Sequence, residues 1–505
     1  MRVLFVYSEE DYYSVEKPLE EYDSMQFGIS YISSVLRQAG HETRLVVPTN
    51  AYPEVVDEQV RVFNPGVICF TSVYTVFEFL SDIASRLKKK FPEVFLIIGG
   101  PHATLNPEHC LEKAYDAVCV GEGEFPVLEL VEQIEQGKHP SKIRNLHIKK
   151  GNKVEINETR PFIQDLDSLP FPDRDMWLPW LANPISNPGV LLGRGCPYNC
   201  TYCCNHAIRK VAPGKYVRTR SVENIISEIL SLKEKLPLLE EVYLEVETLG
   251  VNMKWALELC SALEDMNSKF EVPLRFGANL RVTRGADFGE LFKALARSNF
   301  RFLNIGLESG SERIRKEVLK RIYSNEDMIR TVRTAKKYGL QIGFYNMIGL
   351  PGETTKDFWE TVKLNRTCEP DWFLLSVFFP YPGTALHEKC IKEGLIRETP
   401  DPTLERRRPV LDQKGFSKRQ VRIRYIFSHL LINGGKRPLR EVARLVLKTW
   451  LLADQRLVRF WRWFVLKFRS YEKYFEKHFG TIPSFEHPDP QKEAAKEEVA
   501  SGRAG

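Results

Sequence analysis

Cys196, Cys200 and Cys203 stand in the run Gly193-Arg194-Gly195-Cys196-Pro197-Tyr198-Asn199-Cys200-Thr201-Tyr202-Cys203. Three thiolates on one short loop can hold three irons of a four-iron, four-sulfur cluster. The fourth iron is then open to a small molecule. Gly193 and Gly195 let the backbone pass close to a bulky cluster, and Pro197 stiffens the loop. Packed thiols or a zinc loop use the same residues. A structural zinc site closes with four ligands, and His206 can supply the fourth. Cys204 follows directly and competes for the register.

Further chemistry-bearing residues precede and follow this loop. Gly99-Gly100-Pro101-His102-Ala103-Thr104 and Gly121-Glu122-Gly123-Glu124 are glycine-rich turns, each readable as a tight turn alone or as a ligand loop. Downstream come Glu245-Val246-Glu247-Thr248, then Arg281, Glu308-Ser309-Gly310-Ser311 and Asn346-Met347-Ile348-Gly349-Leu350-Pro351-Gly352-Glu353. Ser309 and Ser311 are also natural helix caps, and Glu353 also suits the start of a helix.

The elements that must position these residues alternate. Strand-like runs at Arg2–Tyr7, Glu42–Val47, Gly66–Thr71, Val94–Ile98 and Ala117–Val120 are separated by helical patterns at Gly28–Ala39, Val76–Phe91 and Pro126–Gln136. This predicts an α/β fold, a doubly wound parallel sheet over residues 1–150 with ligand loops at the carboxyl ends of its strands. Residues 151–187 are rich in proline and read as an extended crossing that lies on protein surface. From 188 to 396 the rhythm returns, with strands at Val190–Gly193, Glu241–Val246, Leu274–Gly277, Phe302–Leu307, Gln341–Met347 and Phe373–Phe379 and helices at Val222–Lys233, Met253–Met266 and Glu326–Tyr338. Six repeats suit a partial (β/α)6 barrel, whose chemistry sits at the carboxyl ends of the strands. The cysteine loop follows the first of them.

The spacing of the cysteines, with an aromatic residue (Tyr202) just before the last, resembles the radical SAM family. That resemblance implies Cys196, Cys200 and Cys203 as cluster ligands, with Cys204 a neighbour. It also implies that the open iron takes S-adenosylmethionine (SAM), cleaved by one electron to a 5′-deoxyadenosyl radical. The same resemblance places Tyr202, Glu247, Arg281, Glu308, Ser309, Asn346 and Gly349 around SAM. Arg281 is suited to its carboxylate, and Glu308 to its ribose hydroxyls or amino group. Tyr381, in Phe378-Phe379-Pro380-Tyr381-Pro382-Gly383, stands in the family's substrate-side loop and is the catalytic or substrate-contact candidate. The first domain is similar to the cobalamin-binding domain of B12-dependent radical SAM enzymes, through Gly28-Ile29-Ser30-Tyr31-Ile32, Ala39-Gly40-His41-Glu42 and the two glycine-rich turns. This implies cobalamin held by Ser72, Gly99, Gly100, His102, Glu122, Gly123 and Glu124. The D-x-H-x-x-G motif whose histidine ligates cobalt in some cobalamin proteins is absent from the sequence. His102 is therefore expected to touch the corrin edge or a neighbouring carbonyl.

The activity implied is methylation of an unactivated carbon of a small-molecule or lipid-like substrate, with one SAM methylating the cobalamin and another giving the radical. Ring formation, rearrangement or oxidation without methyl transfer uses the same cofactors. A non-catalytic cobalamin or redox sensor is the reading of a different class. Electrons are expected from an external donor such as flavodoxin or ferredoxin.

A chain of 505 residues, 43% hydrophobic, suggests two to four domains. Its ten cysteines and the first strand at Met1–Tyr7, with no cleavable leader pattern, suit a reducing cytoplasm. No apolar run is long enough to span a bilayer. The net charge of +6 is concentrated at one end: residues 405–479 carry twenty Lys and Arg against six Asp and Glu. Within the helical basic region 397–485, Val446, Trp450, Leu457, Trp461, Phe464 and Phe468 form one face, opposite Arg444, Lys448, Arg456, Arg459 and Arg462. Such a helix packs on the barrel, or gives peripheral membrane contact through 444–469. Nucleic acid is not expected, because the aromatics lie opposite the basic face and are not interleaved with it. Residues 486–505 read as a disordered tail.

Overall fold

The computed structural model describes residues 1–9, 14–21, 25–186 and 188–453. The chain divides into a compact unit Met1–Ala443 and a second unit Arg444–Gly505. Among the described residues the first unit holds two large sheets and two short two-stranded ladders.

The amino-terminal sheet has five parallel strands, Arg2–Val6, Glu42–Val46, Val67–Thr71, Phe95–Gly99 and Ala117–Cys119, in the spatial order 2-1-3-4-5. The central segments are apolar along nearly their whole length because helices cover both faces, while the edge strand Glu42–Val46 carries Glu42, Thr43 and Arg44. The cores on the two sides are built from Val3, Phe5 and Cys69, and from Leu4, Val6 and Ile68. Two further strands, Leu146–Lys150 and Lys153–Ile156, extend the edge in antiparallel sense. The sheet is therefore mixed and not wholly parallel as expected. The helix Val55–Phe63 is also additional to the sequence reading. Order reverses between the first and third strands, and their carboxyl ends open a crevice there.

The second sheet is six-stranded and all parallel, in sequential order: Gly189–Leu191, Glu241–Leu249, Arg275–Leu280, Phe300–Glu308, Gln341–Ile348 and Trp372–Val377. Strands one and six do not pair, so the barrel is open. Its outer face packs Leu244, Phe276, Leu303 and Phe344 under helices that include Val222–Lys235, Met253–Asn267 and Asn325–Lys337. The inner face carries a floor of rings. Tyr243 and Phe302 stack at 5.9 Å, and Phe302 meets Trp372 edge-on at 5.4 Å. Gly277 and Gly343 make room for it, since a Cβ on either would fall 2.2 Å from Phe302 or Trp372.

The crossing begins after Ile156, later than the expected 151, because Lys153–Ile156 belongs to the first sheet, and it is anchored on both halves. Trp177 is fully buried and donates its indole N–H to Ser30 Oγ at 2.8 Å. Arg174 reaches the barrel, where it pairs with Glu228 at 2.6 Å and donates to the Gly189 carbonyl. Phe27 of the first domain lies where a Cβ on Gly189 would be, 3.2 Å away, so the edge of the open barrel meets the other domain. After the barrel come the helices Lys418–Ile426, Ser428–Asn433 and Leu439–Leu452. The expected apolar and basic positions from Arg456 to Phe468, and the tail from 486, lie outside the described residues. No helix among the described residues is long and apolar enough to cross a membrane.

Candidate active site

The cysteine loop leaves the first barrel strand at its carboxyl end. Gly193 and Gly195 are required there for a reason other than cluster clearance. A Cβ on Gly193 would lie 2.3 Å from the Arg218 carbonyl oxygen, and one on Gly195, at φ +86°, 2.2 Å from that of Tyr216. The loop is thus clamped against the backbone of Tyr216–Thr219. Cys200 is buried, while Cys196 and Cys203 are partly open. Burial pushes the Cys196 thiol up to about 11. The Cys204 thiol beside Cys203 draws Cys203 down to about 7 and is itself pushed up. Thiolates make the ligands, and the Asn205 amide, with Nδ2 3.6 Å from the Cys203 sulfur, supports charge on Cys203.

His206 does not complete a zinc site. Its Nδ1 faces the Cys203 carbonyl at 2.5 Å, and its Nε2 accepts from the Ala385 N–H at 3.2 Å. Among the described residues no His, Cys, Asp or Glu trio converges closely enough to hold one ion. A four-iron cluster takes one thiolate per iron and needs no such convergence. Three thiols at this spacing on one loop, with Cys204 beside the last of them, fit that group.

Around the loop the barrel rim supplies charge. Arg281 Nη1 donates to Cys200 Sγ at 2.7 Å, and its guanidinium lies 3.9 Å over the Tyr198 ring. Its Nε is buried without a partner, an orphan donor at the place where an anionic ligand group was expected. Glu247 is exposed and close enough to push the Cys196 thiol further up. Tyr202 Oη donates to Glu308 at 2.8 Å, and Arg321 pairs with both. Glu308 sits at φ +62°, a strained backbone of the kind that collects at functional sites. Gly349, at φ +83°, turns the chain after the fifth strand, and its N–H donates to Glu353 at 2.6 Å.

Two expected SAM contacts point elsewhere. Asn346 alternates with Met347 along its strand and falls on the helix side, where its amide meets that of Asn365. Ser309 is fully buried; its Oγ accepts from the Ser311 N–H, and its carbonyl accepts from Arg315. Tyr381 also takes a different part. Its hydroxyl donates to Glu405 and accepts from Arg406, fastening the segment after the barrel.

In the first domain, Ser72 and the Gly99-Gly100 turn are laced together. Ser72 N–H donates to the Gly99 carbonyl, and a Cβ on Gly100 would strike Ser72 backbone at 2.8 Å. Beside them, at the crevice, is a cavity of about 280 Å³ whose lining includes Tyr7, Ser8 and Ser72 and, from the segment after the barrel, Glu405, Arg406 and Arg407. Hydroxyl-rich and at the switch point, it suits part of a large cofactor. His102 faces away from solvent. One ring nitrogen meets His109 at 3.2 Å and the other Asn106 at 3.4 Å. Burial, then His109, draws it down to about 4, so it is neutral. Gly123 packs on Ile32. Glu122 and Glu124, expected at cobalamin, instead pair with barrel arginines: Glu122 with Arg194 and Arg218, Glu124 with Arg194. Their partners stand 70 or more residues away in the chain, which sequence patterns do not reveal.

The carboxyl ends of the two sheets face each other. Asn106 Nδ2 donates to the Pro382 carbonyl at 3.4 Å, Tyr74 packs on Phe379 at 5.9 Å, and the helix Pro101–Leu105 lies on Asn205–Ile208. Between the rim and the ring floor, Tyr345 and Leu374, paired in register on neighbouring strands, are 39% and 53% exposed. Asn304 below them is buried with Oδ1 unpartnered.

Residues 190–364 match the Radical SAM superfamily, and residues 21–131 match the B12 binding domain. The chain carries both domains of a cobalamin-dependent radical SAM enzyme. It is 28% identical over 402 residues to an uncharacterised methyltransferase of Pyrococcus horikoshii, covering 78% of this enzyme and 84% of the relative. It is 23% identical over 377 residues to the anaerobic magnesium-protoporphyrin IX monomethyl ester cyclase of Cereibacter sphaeroides, covering 72% of this enzyme and 59% of the cyclase. The radical SAM methyltransferase TsrM of Kitasatospora setae, solved with cobalamin and a four-iron cluster, superposes with a TM-score of 0.62 over 78% of each chain, at 16% identity. That likeness concerns the fold. The cofactors of this radical SAM enzyme are the four-iron cluster, SAM and cobalamin.

Proposed function

We propose that this enzyme methylates an unactivated carbon of a small molecule with an apolar body. The observation that carries the reading is the facing of the two carboxyl ends across Asn106–Pro382 and Tyr74–Phe379. A substrate between them meets both cofactors at once, and such proximity supplies much of a barrier reduction. Bound there, cluster and SAM supply a hydrogen-abstracting radical and cobalamin carries the methyl group. The chain's own residues orient. Arg281 meets the SAM carboxylate, Glu247 its amino group or ribose, and the Gly349 turn its adenine. Tyr345 and Leu374 form an apolar wall for the substrate, and Asn304 Oδ1 accepts from a donor on it. Similarity to a methyltransferase over most of both chains supports this reading. An external one-electron donor such as flavodoxin or ferredoxin serves the cluster.

A second reading, radical ring closure without methyl transfer, is favoured by the similarity to the cyclase. The reconstituted enzyme, given SAM with a deuterated methyl group and strong reductant, separates the two. Formation of S-adenosylhomocysteine beside 5′-deoxyadenosine is expected. Deoxyadenosine alone, in the presence of bound cobalamin and a turned-over substrate, overturns methyl transfer.

A further inference from the structure

The two halves of the site are joined by charge at one point only two residues from the first cluster ligand. Gly121-Glu122-Gly123-Glu124 follows the fifth strand of the first domain. Arg194 lies opposite Arg218 in a two-residue antiparallel ladder. Arg194 Nη1 donates to Glu122 Oε1 at 3.0 Å and Nη2 to Glu124 Oε1 at 2.6 Å. Arg218 Nη1 donates to both Glu122 oxygens at 2.9 and 3.1 Å and to the Ile163 carbonyl at 2.7 Å. Glu122 also accepts from the Ile163 N–H, and Arg194 lies 5.0 Å over the Tyr31 ring. The side chains are mostly buried: Glu124 is 3% exposed, Arg218 4%, Arg194 16% and Glu122 18%.

Burying charge is a poor way to gain stability, because desolvation offsets most of the attraction; apolar side chains of similar volume often do as well. What such a pair does supply is fixed geometry, through two directed bonds from one planar guanidinium. The backbone on both sides of Arg194 is tightly held: it is laddered to Arg218–Thr219, and beside the Arg218 and Tyr216 carbonyls there is no room even for a Cβ on Gly193 or Gly195. A shift of the Glu122–Glu124 turn is therefore passed directly to Cys196.

We propose that Arg194 is a positioning residue that sets the separation of the two metal cofactors, holding the cluster loop to the Gly-Glu-Gly-Glu turn of the cobalamin domain. The proposal rests on the reading that both cofactors act at one site. The bridge itself touches no substrate.

The test uses the full chain reconstituted with cluster and cobalamin, comparing wild type with Glu122→Gln/Glu124→Gln. The direct readout is the dipolar interaction between cob(II)alamin and the reduced cluster in electron paramagnetic resonance. The variant is expected to keep both cofactors at wild-type stoichiometry while the interaction weakens or broadens. Substrate-free formation of S-adenosylhomocysteine, which needs both halves, should fall about tenfold to a hundredfold, the size of effect that a misplacement of ~1 Å produces. Abortive formation of 5′-deoxyadenosine, which needs only the barrel, should stay within about threefold. An unchanged dipolar interaction overturns the proposal, as does an equal loss of both activities with the interaction intact. If the double variant does not fold, Glu124→Asp keeps the charge and withdraws it by one methylene; the same shift in the interaction is then required. A wild type that forms no S-adenosylhomocysteine sinks methyl transfer but leaves the magnetic comparison standing.

Discussion

At the scale of the residue, the choice between Cys203 and Cys204 is the sharpest. Cys203 is the thiol drawn down, and Asn205 Nδ2 also approaches its sulfur at 3.6 Å. Cys203→Ala should abolish the cluster absorption and SAM cleavage together. Cys204→Ala should keep the iron content of wild type and lose no more than about tenfold in cleavage, because it removes a neighbour and not a ligand. Iron analysis with deoxyadenosine assay measures both; equal loss in the two variants would show that the register is shared. The positions of the cysteines, Arg281 and Glu247 on the barrel rim were legible because each stands at or near a strand end, a place that alternation defines. Asn346 was misread although the information was present: it shares its parity with Phe344 and Ile348, which are fully buried on the helix side. Arg321 carried no signal. It reaches the site only because the chain after Ser311 makes one wide helical turn, Ile314–Val318, and doubles back.

At the scale of the element, the loop closing the fifth strand is held from outside by the Gln413 amide and from within by a buried carboxyl. Glu353 Oε2 accepts from the Gly349 and Leu350 N–H groups, Oε1 has no partner, and burial lifts the group to about 8. The folded value lies above the unfolded one, so between about 4.5 and 8 the folded chain holds a proton that the unfolded chain has lost. Stability from this group is full below that window, declines as pH rises through it and is gone above about 8. Glu353→Gln keeps the accepting oxygen and cannot ionise. Its melting temperature should match wild type near pH 5 and exceed it at pH 9; a difference that does not grow between those pH values contradicts the assignment. The strands themselves were legible to within two or three residues because buried parallel strands are short apolar runs with turns at both ends. The helix Val55–Phe63 was not, since Asp57, Glu58, Gln59 and Arg61 dilute its apolar stripe. The antiparallel hairpin 146–156 was not either, because its outer strand exposes Val154 and Ile156 and is rich in charge.

At the scale of the whole molecule, the basic carboxyl-terminal region begins at the cofactor crevice, where Glu405, Arg406 and Arg407 join the lining of the cavity beside Ser72. In its described portion Leu447 and Trp450 are exposed, 52% and 45%, on the helix that also carries Arg440, Arg444 and Lys448. We expect the enzyme to bind vesicles of anionic lipid, with added salt weakening the binding by screening. Trp450→Glu should reduce co-sedimentation about tenfold or more while leaving the melting temperature unchanged, since a charge on an exposed face is solvated. A wild type that ignores the vesicles removes the membrane from the account.

The open barrel bears on how such a molecule can change over generations. Its first and sixth strands leave a gap, and the neighbouring half supplies what is missing: Phe27 against Gly189, and Leu105 where a Cβ on Gly383 would lie 2.8 Å away. Each half was shaped with the other as part of its mould. A chimera that exchanged the first domain for that of a cousin would inherit a mismatched seam, with glycines facing the wrong side chains and Arg194 facing the wrong turn. Recombination at the crossing between the halves should therefore yield few working progeny unless the seam residues travel together, and new specificities should arise by substitution inside the lumen, around Tyr345 and Leu374, and not by shuffling of halves.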